Sequence, residues 1–403
     1  MIPVADTVPA SMEIQAPHIS EPLHEGSFVD FTRSLPPAVP RLDAELARAI
    51  DRLRSEHDLD RLIHGGAARG SSSGRLGGAR YLAPRLGDAT DIECILTTNG
   101  TQSALLILFH HLVGKGGRLL AERLSYGALR ELAGIAGIEL AGLDVDGDGI
   151  LPESFERACR KGGVRALYCN PTVQNPTTAI MPLSRRIALA DISRRYGVPI
   201  IEDDALGRLH PDATPPIAKI APDVVWYVMS ATKGLAHGLR LAYVVAPSRA
   251  QCDSALAPVE RLSFWTAAPL LTAVVASWTL SGAADMISEA IREENAAREA
   301  IARGALGRIG LISKPGSMHV WLPLPAPWTC DSFVRSAVAA GVLLRSAEHF
   351  AVDNQSVPNA VRLSLSTPSN RRAAEVGIAR LAALLDRRPT AEYQEERSVP
   401  SPS

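Results

Sequence analysis

Between residues 92 and 245 the chain repeats one arrangement: a short apolar run followed by a polar or amphipathic stretch. The runs are IECILTT (92–98), GRLLAE (117–122), VRALYC (164–169), VPIIED (198–203), VVWYVMS (224–230) and LRLAYVV (239–245). Each suits a strand in length, and most are apolar on successive residues, the pattern of strands covered on both faces. Amphipathic helix candidates such as 102–113 and 183–196 separate most of them. Strands alternating with helical crossovers have few ways to pack, and the expected fold is α/β, a mostly parallel sheet between helices. Ligands of such sheets bind beyond the carboxyl ends of the strands, so the residues just after each run are the ones to inspect.

The flanks read differently. Leu42, Leu46, Ile50 and Leu53 recur at helical spacing. A long helical stretch from about 265 to 305 is followed by MHVWLPL (318–324), a helix near 331–340, VLLR (342–345), VRLSLS (361–366) and a last helix to about 386, which together suit a smaller α+β domain. Residues 1–27 and 387–403 are rich in Pro, Glu and Ser without periodicity and are expected to be disordered. The expected division is 28–75 as an N-terminal arm and part of the small domain, 76–300 as the large domain and 301–386 as the C-terminal small domain.

Composition removes several function classes. A formal net charge of -1 over 403 residues supplies no basic field for nucleic acid or anionic lipid, which leaves small molecules or a second copy of the chain as partners. No lysine or arginine precedes Arg33, so neither a secretory signal nor a compact DNA-binding domain is expected before it. The apolar stretch TAAPLLTAVVASWTL (266–280) is too short to span a bilayer and contains Pro269. The five cysteines form no C-x-x-C pair, which suits a reducing cytoplasm. No metal site is expected: DVDGDG (144–149) has Phe155 where a calcium loop needs a bidentate glutamate, and reads as a turn. GRLGGAR (74–80) lacks the features of a phosphate or dinucleotide loop and reads as flexible backbone.

Of 42 basic residues only five are lysine, and one of these, Lys233, follows a strand run in SATKGLAHGLRLAY (230–243). The strand ends collect Gly100, Thr101 and Gln102, then Tyr126, Asn175, Asp203, Ser230, Thr232, Lys233 and Arg240. Gly100 to Gln102 occupy a strand-to-helix turn whose free N–H groups favour an anion, and Ser230, Thr232 and Arg240 add hydroxyl and guanidinium donors suited to a phosphate. A lysine near Arg240 or partly desolvated loses its proton more readily and can form an imine with a carbonyl. An acid such as Asp203 can keep a pyridine nitrogen protonated.

These segments, with QNPTTAIMPLSRR (174–186) and IIEDDALGRL (200–209), resemble fold-type I pyridoxal-phosphate (PLP) enzymes of the class I/II aminotransferase family. They are especially similar to the branch that forms the C-terminal half of MocR/GntR-type regulators. The resemblance rests on order and spacing: 24 residues from Gln102 to Tyr126, 28 from Asn175 to Asp203, 30 from Asp203 to Lys233 and 7 from Lys233 to Arg240. It implies the fold-type I architecture, with a mostly parallel seven-stranded sheet in a large domain plus a smaller α+β domain, and a homodimer. It makes Lys233 the lysine that forms the imine with the cofactor and shuttles the proton, and Asp203 the partner of the ring nitrogen. Asn175 would donate to the ring 3-oxygen and help bind substrate, Tyr126 would stack on the ring, and Gly100, Thr101, Gln102, Ser230, Thr232 and Arg240 would surround the phosphate. Arg362, in VRLSLS, would grip the substrate carboxylate.

Two departures bear on the reaction. Ala205 and Leu206 stand where such enzymes carry a tyrosine, and RGSSSGRLGGAR (69–80) lacks the tyrosine that a partner subunit usually receives. His210 and His237 are the side chains offered in their place. Transamination of an amino acid and 2-oxo acid pair is the leading expectation, with elimination, replacement, carbon–carbon bond formation or oxidation on the same cofactor as the alternative. A PLP-binding ligand sensor without catalysis is a third reading.

Overall fold

The computed structural model describes residues 28–387 apart from 57–58, 262–266, 354 and 356. The sequence expectations for 1–27 and 388–403, and for the first two residues of the 265–305 helical stretch, lie outside the described residues.

Seven strands form the main sheet: β1 (Ile95–Thr98), β2 (Arg118–Glu122), β3 (Glu139–Leu143), β4 (Val164–Cys169), β5 (Ile200–Asp203), β6 (Val225–Ser230) and β7 (Ala242–Val245). Their order is β1-β7-β6-β5-β4-β2-β3. The five strands from β6 to β3 run parallel, while β7 is antiparallel to both its neighbours and so brings β1 to the edge beside it. Alternate residues face opposite helical layers, as the pleat requires. Leu120, Leu167, Ile200, Tyr227 and Tyr243 enter one core and Leu119, Tyr168, Ile201, Trp226 and Val244 the other.

Six of the seven strands coincide with runs read from the sequence. Strand β3 does not, because it is an edge strand with one exposed and three half-buried residues and contains Gly142. Strand β7 starts three residues later than LRLAYVV, since residues 239–241 belong to the turn in which Arg240 takes φ 46°.

GRLGGAR is corrected by the structure. It lies within the helix Ser72–Leu86, capped by the Ser71 hydroxyl accepting the Gly74 N–H at 3.0 Å. Its glycines serve close packing: a Cβ on Gly77 would lie 2.6 Å from Ala276 of the helix Pro269–Ser281, and one on Gly78 would lie 2.5 Å from the Tyr243 ring. DVDGDG forms the turn of a small hairpin, Val145–Asp146 with Gly149–Ile150.

Beyond the long helix Ala283–Leu306, the strands His319–Pro323, Ala360–Ser364 and Arg345–Ser346 make a three-stranded antiparallel sheet. The helices Cys330–Ala339 and Arg371–Leu385 cover it, and its core includes Val320, Leu322, Phe333, Val361 and Ile378. The N-terminal arm joins this unit, Val29–Asp30 pairing in parallel with Val342–Leu343. The helices Ser72–Leu86 and Ala283–Leu306 run through positions 75/76 and 300/301, where the sequence reading places domain boundaries. Among the described residues no single helix is long and apolar enough to cross a membrane.

Candidate active site

Strand β6 ends at Ser230, whose hydroxyl accepts the Thr232 N–H at 3.0 Å and so starts the four-residue helix Ala231–Gly234. The hydroxyls of Ser230 and Thr232 lie 2.5 Å apart. This turn carries Lys233 inward, where its Nζ donates to the Ser34 carbonyl of the N-terminal arm. Burial, with help from the charges of Arg362 and Arg240 and against the pull of Asp203, lowers the amine to about 8.

An anion cradle lies beside it. The helix Gly100–Leu108 begins without a side-chain cap from Asn99, so its first-turn N–H groups carry no side-chain acceptor from that residue. Gly100 takes φ 79°, and a Cβ there would sit 3.6 Å from the Arg240 guanidinium. Thr101 and Gln102 follow in the same turn, and Gln102 Nε2 donates to the Tyr126 hydroxyl at 3.1 Å.

Asp203 closes β5 and is 5% exposed. Its carboxylate accepts the Tyr168 hydroxyl at 2.8 Å and the Ala205 N–H at 3.2 Å. Burial raises the carboxyl to about 6, and the Tyr168 hydrogen bond holds it below what burial alone would impose. The β4–β5 register explains the contact. Tyr168 pairs with Ile201, and Asp203, two residues on, shares that face of the sheet. Asn170 ties the strand ends together: its Nδ2 donates to the Asp203 carbonyl at 2.5 Å, its N–H to Glu122 at 2.8 Å, and its Oδ1 accepts the Asn175 N–H at 2.9 Å. Burial pushes Glu122 up to about 7.

The loop that presents Asn175 is braced by Gln174, which donates to the Leu124 carbonyl at 2.6 Å and accepts the Thr177 hydroxyl at 2.7 Å. Val173 and Thr178 on either side have φ of 51° and 63°, unfavourable for β-branched residues and a mark of a loop held by its surroundings. Asn175 Oδ1 accepts Arg362 Nη1 at 3.0 Å. Arg362 is 4% exposed, donates from Nη2 to the Thr32 carbonyl and lies 4.8 Å over the Phe350 ring. Burial, and then Arg345 beside it, lowers this guanidinium to about 9.

The structure thus gathers the residues singled out in the sequence. Asp203, Arg240 and Arg362 all act electrostatically on Lys233, Asn175 is bonded to Arg362, Tyr126 to Gln102, and Gly100 packs against Arg240. Tyr168, Asn170, Glu122 and the arm carbonyls of Thr32 and Ser34 were not legible. Asn170 has a signal, a polar residue directly after VRALYC, whereas the arm carbonyls have none. Asp204, next to Asp203, is occupied elsewhere: it pairs with buried Arg85 at 3.0 Å and accepts the Tyr227 hydroxyl at 2.7 Å. The two histidines separate. His237 lies within electrostatic reach of Lys233, Arg240 and Arg33, whereas the charges around His210 are those of Asp204, Arg85 and Arg292. Leu206 is buried in the core.

The donor set fits pyridoxal phosphate. Arg240 over Gly100, an uncapped helix start and the Ser230 and Thr232 hydroxyls suit a dianion, the buried carboxylate of Asp203 suits a protonated ring nitrogen, and Lys233, which gives up its proton more readily than an ordinary lysine, suits an aldehyde.

Known proteins agree with this geometry. The sequence pattern of the family described as aminotransferase class I and II matches residues 80–376. An uncharacterized HTH-type transcriptional regulator of Bacillus subtilis, YdeF, is 30% identical over 334 residues, 82% of this chain and 71% of that protein. The chain spans 58% of a second such regulator, YdfD. The 2-aminoadipate transaminase of Thermus thermophilus is 26% identical over 304 residues, 73% of this chain and 75% of that enzyme. In fold, the α-aminoadipate aminotransferase LysN of Thermus thermophilus, solved with N-(5'-phosphopyridoxyl)-L-leucine, superposes with a TM-score of 0.79 at 23% identity, covering 90% of this chain and 93% of LysN. With a lysine, an aspartate and an arginine converging at the ends of its sheet, and with this pattern along most of its length, the chain belongs to the class I and II aminotransferase family of PLP-dependent transferases.

Proposed function

We propose that this chain transfers an amino group between an amino acid and a 2-oxo acid, with pyridoxal phosphate held among the residues described above. The observation that supports it most is the inward-turned Lys233, its amine lowered to about 8, with Asp203 and Arg362 within electrostatic reach. When bound, the cofactor supplies an aldehyde for amines and a ring that accepts the electron pair left at the substrate Cα. The chain does the rest. Arg240, Ser230, Thr232 and the first-turn N–H groups at Gly100, Thr101 and Gln102 would hold the phosphate. Asp203 would keep a proton at the ring nitrogen, Asn175 would donate to the ring 3-oxygen and Tyr126 would stack on the ring.

Arg362 presents Nη1 and Nη2 to the substrate α-carboxylate in place of Asn175 Oδ1 and the Thr32 carbonyl, which are acceptors it can release. Lys233 then takes the proton from the substrate Cα and returns it. Its free-amine fraction grows through about pH 8, so the proton transfer gains rate as pH rises towards that value. We extend the proposal to a homodimer in the cytoplasm.

The test is the visible spectrum of the purified protein with cofactor, for the wild type and Lys233→Ala, together with 2-oxo acid release from a panel of amino acids. The wild type is expected to hold cofactor through a lysine-dependent absorption and to release 2-oxo acid. No such absorption sinks the reading. One observation favours a second reading. Ala205 and Leu206 stand where similar enzymes carry a tyrosine, so lysine-dependent cofactor binding with elimination or replacement products instead of amino transfer would select another PLP reaction. Cofactor binding with no turnover would select the ligand sensor.

A further inference from the structure

The strand His319–Pro323 lies beside Ala360–Ser364, with His319 opposite Ser364 and Trp321 opposite Arg362. Opposed residues share a face of the sheet, as do residues two apart on one strand, so His319 is a diagonal neighbour of Arg362. His319 is 1% exposed, and its Nε2 lies 3.1 Å from the carbonyl oxygen of Gln174 in the large domain. A carbonyl only accepts, so Nε2 carries the proton and donates. Burial lowers the imidazole to about 3, with the charge of Arg362 acting in the same direction and the Gln174 bond against it, so the ring is neutral at neutral pH. A buried imidazole costs more to desolvate than a phenyl ring, and the bond to Gln174 offsets part of that cost.

Gln174 is where the loop that presents Asn175 is fastened. Its side chain is bonded to Leu124 and Thr177, its N–H donates to the Ala179 carbonyl at 2.9 Å, and its own carbonyl accepts the Thr178 N–H at 2.7 Å beside the His319 bond. Among the described residues two hydrogen bonds run from the small-domain sheet to this loop, from His319 to Gln174 and from Arg362 to Asn175 Oδ1. They differ in permanence. Arg362 gives up Asn175 when it takes the substrate α-carboxylate, as proposed above, whereas the His319 bond ends on backbone that has no part in binding and persists. Without it, the loop that holds Val173 and Thr178 at positive φ would lose its tie to the sheet as the substrate arrives.

We propose that His319 is a positioning residue, which keeps Asn175 at the ring 3-oxygen of the cofactor while Arg362 is engaged by the substrate. The inference rests on the reading of Asn175 as the donor to that oxygen and of Arg362 as the α-carboxylate clamp. A lysine or arginine could make the same bond to Gln174 but would add a charge within reach of Arg362 and Lys233, which the neutral imidazole does not.

The test follows the visible absorption of the bound cofactor against pH. Donation from Asn175 favours the negative form of the ring 3-oxygen, so Asn175→Ala is expected to raise the pH midpoint of the absorption change by about one unit. His319→Phe keeps the ring volume and removes the donor. By itself it is expected to shift the midpoint little, because Arg362 still holds Asn175. With Arg362 released, by Arg362→Met or by saturating pentanoate as an unreactive acid, His319→Phe is expected to raise the midpoint by most of that unit over His319 in the same state. His319→Gln, whose amide can donate to the same carbonyl, is expected to restore the midpoint, and in Asn175→Ala the His319→Phe change should add nothing. Should His319→Phe fail to take up cofactor, His319→Met serves as the variant without a donor. No added shift with Arg362 released, or an equal shift in Asn175→Ala, overturns the positioning role and leaves the proposed reaction standing. An unchanged midpoint in Asn175→Ala overturns the reading of Asn175 and this inference with it, and a wild type that takes up no cofactor overturns the proposed function itself.

Discussion

Tyr168→Phe removes one buried hydroxyl and leaves the ring in place. The phenol donates to Asp203 at 2.8 Å. A hydrogen bond to a charged group is worth roughly 1.5–3 kcal/mol, and one between neutral groups about 0.5–1.5 kcal/mol. The variant therefore loses about 1 kcal/mol more when Asp203 is ionised than when it is protonated, which is close to one pKa unit. Asp203 stands raised from 3.8 to about 6 in the folded chain. Because the folded state favours the protonated form, this group's contribution to stability is largest at low pH and is lost as pH rises from about 4 to 6, by about 1.4 kcal/mol per unit. In Tyr168→Phe the loss continues through one further unit.

Urea unfolding of the cofactor-free wild type, Tyr168→Phe, Asp203→Asn and the double variant at pH 5 and pH 8 measures this as a coupling energy. The coupling is expected to grow by about 1 kcal/mol from pH 5 to pH 8. A coupling that is the same at both pH values, or larger at pH 5, refutes the reasoning, because the phenol would then not be bonded to the ionised carboxylate.

Other consequences are as direct. Asp204→Asn strips Arg85 of its buried carboxylate and should cost about 3–5 kcal/mol in thermal unfolding, whereas Asp203→Asn should leave stability nearly intact and lower kcat by roughly a hundred-fold or more. Gly78→Ala forces a methyl against Tyr243 at 2.5 Å and should cost about 1–3 kcal/mol. Gly134→Ala, in the helix Leu129–Ala136 with no atom within 4 Å of its new Cβ, should stabilise by about 0.5–1 kcal/mol, read as an upward shift in Tm. A fall in Tm for Gly134→Ala, or none for Gly78→Ala, would contradict the packing described.

Much of the site was legible because strand ends in a parallel sheet are ordered by the chain itself. A buried strand needs a continuous apolar run, a crossover needs a helix, and the first polar residues after each run are delivered to the same edge. Asp203 at the end of its run, Lys233 just after its run and the helix start at Gly100 could be found that way, while Asn175 and Arg240 came from their spacing to these. Ser72–Leu86 was misread for the opposite reason. Glycine is a poor helix former, and only the approach of Ala276 and Tyr243 shows why Gly77 and Gly78 stand in that helix.

By itself the sequence determined the layered α/β fold, the strands that carry the chemistry and the identity of the lysine, since periodicity and strand-end position are properties of a linear pattern. Tertiary structure alone decided what the neighbouring acid does: Asp204 faces the other side of the sheet from Asp203 and is locked to Arg85. It also decided that Tyr168 reaches Asp203, that the arm meets Lys233 and Arg362, and that Arg345 stands opposite Arg362. Those are matters of register between segments 17 to 330 residues apart, and no local pattern in the chain encodes a register.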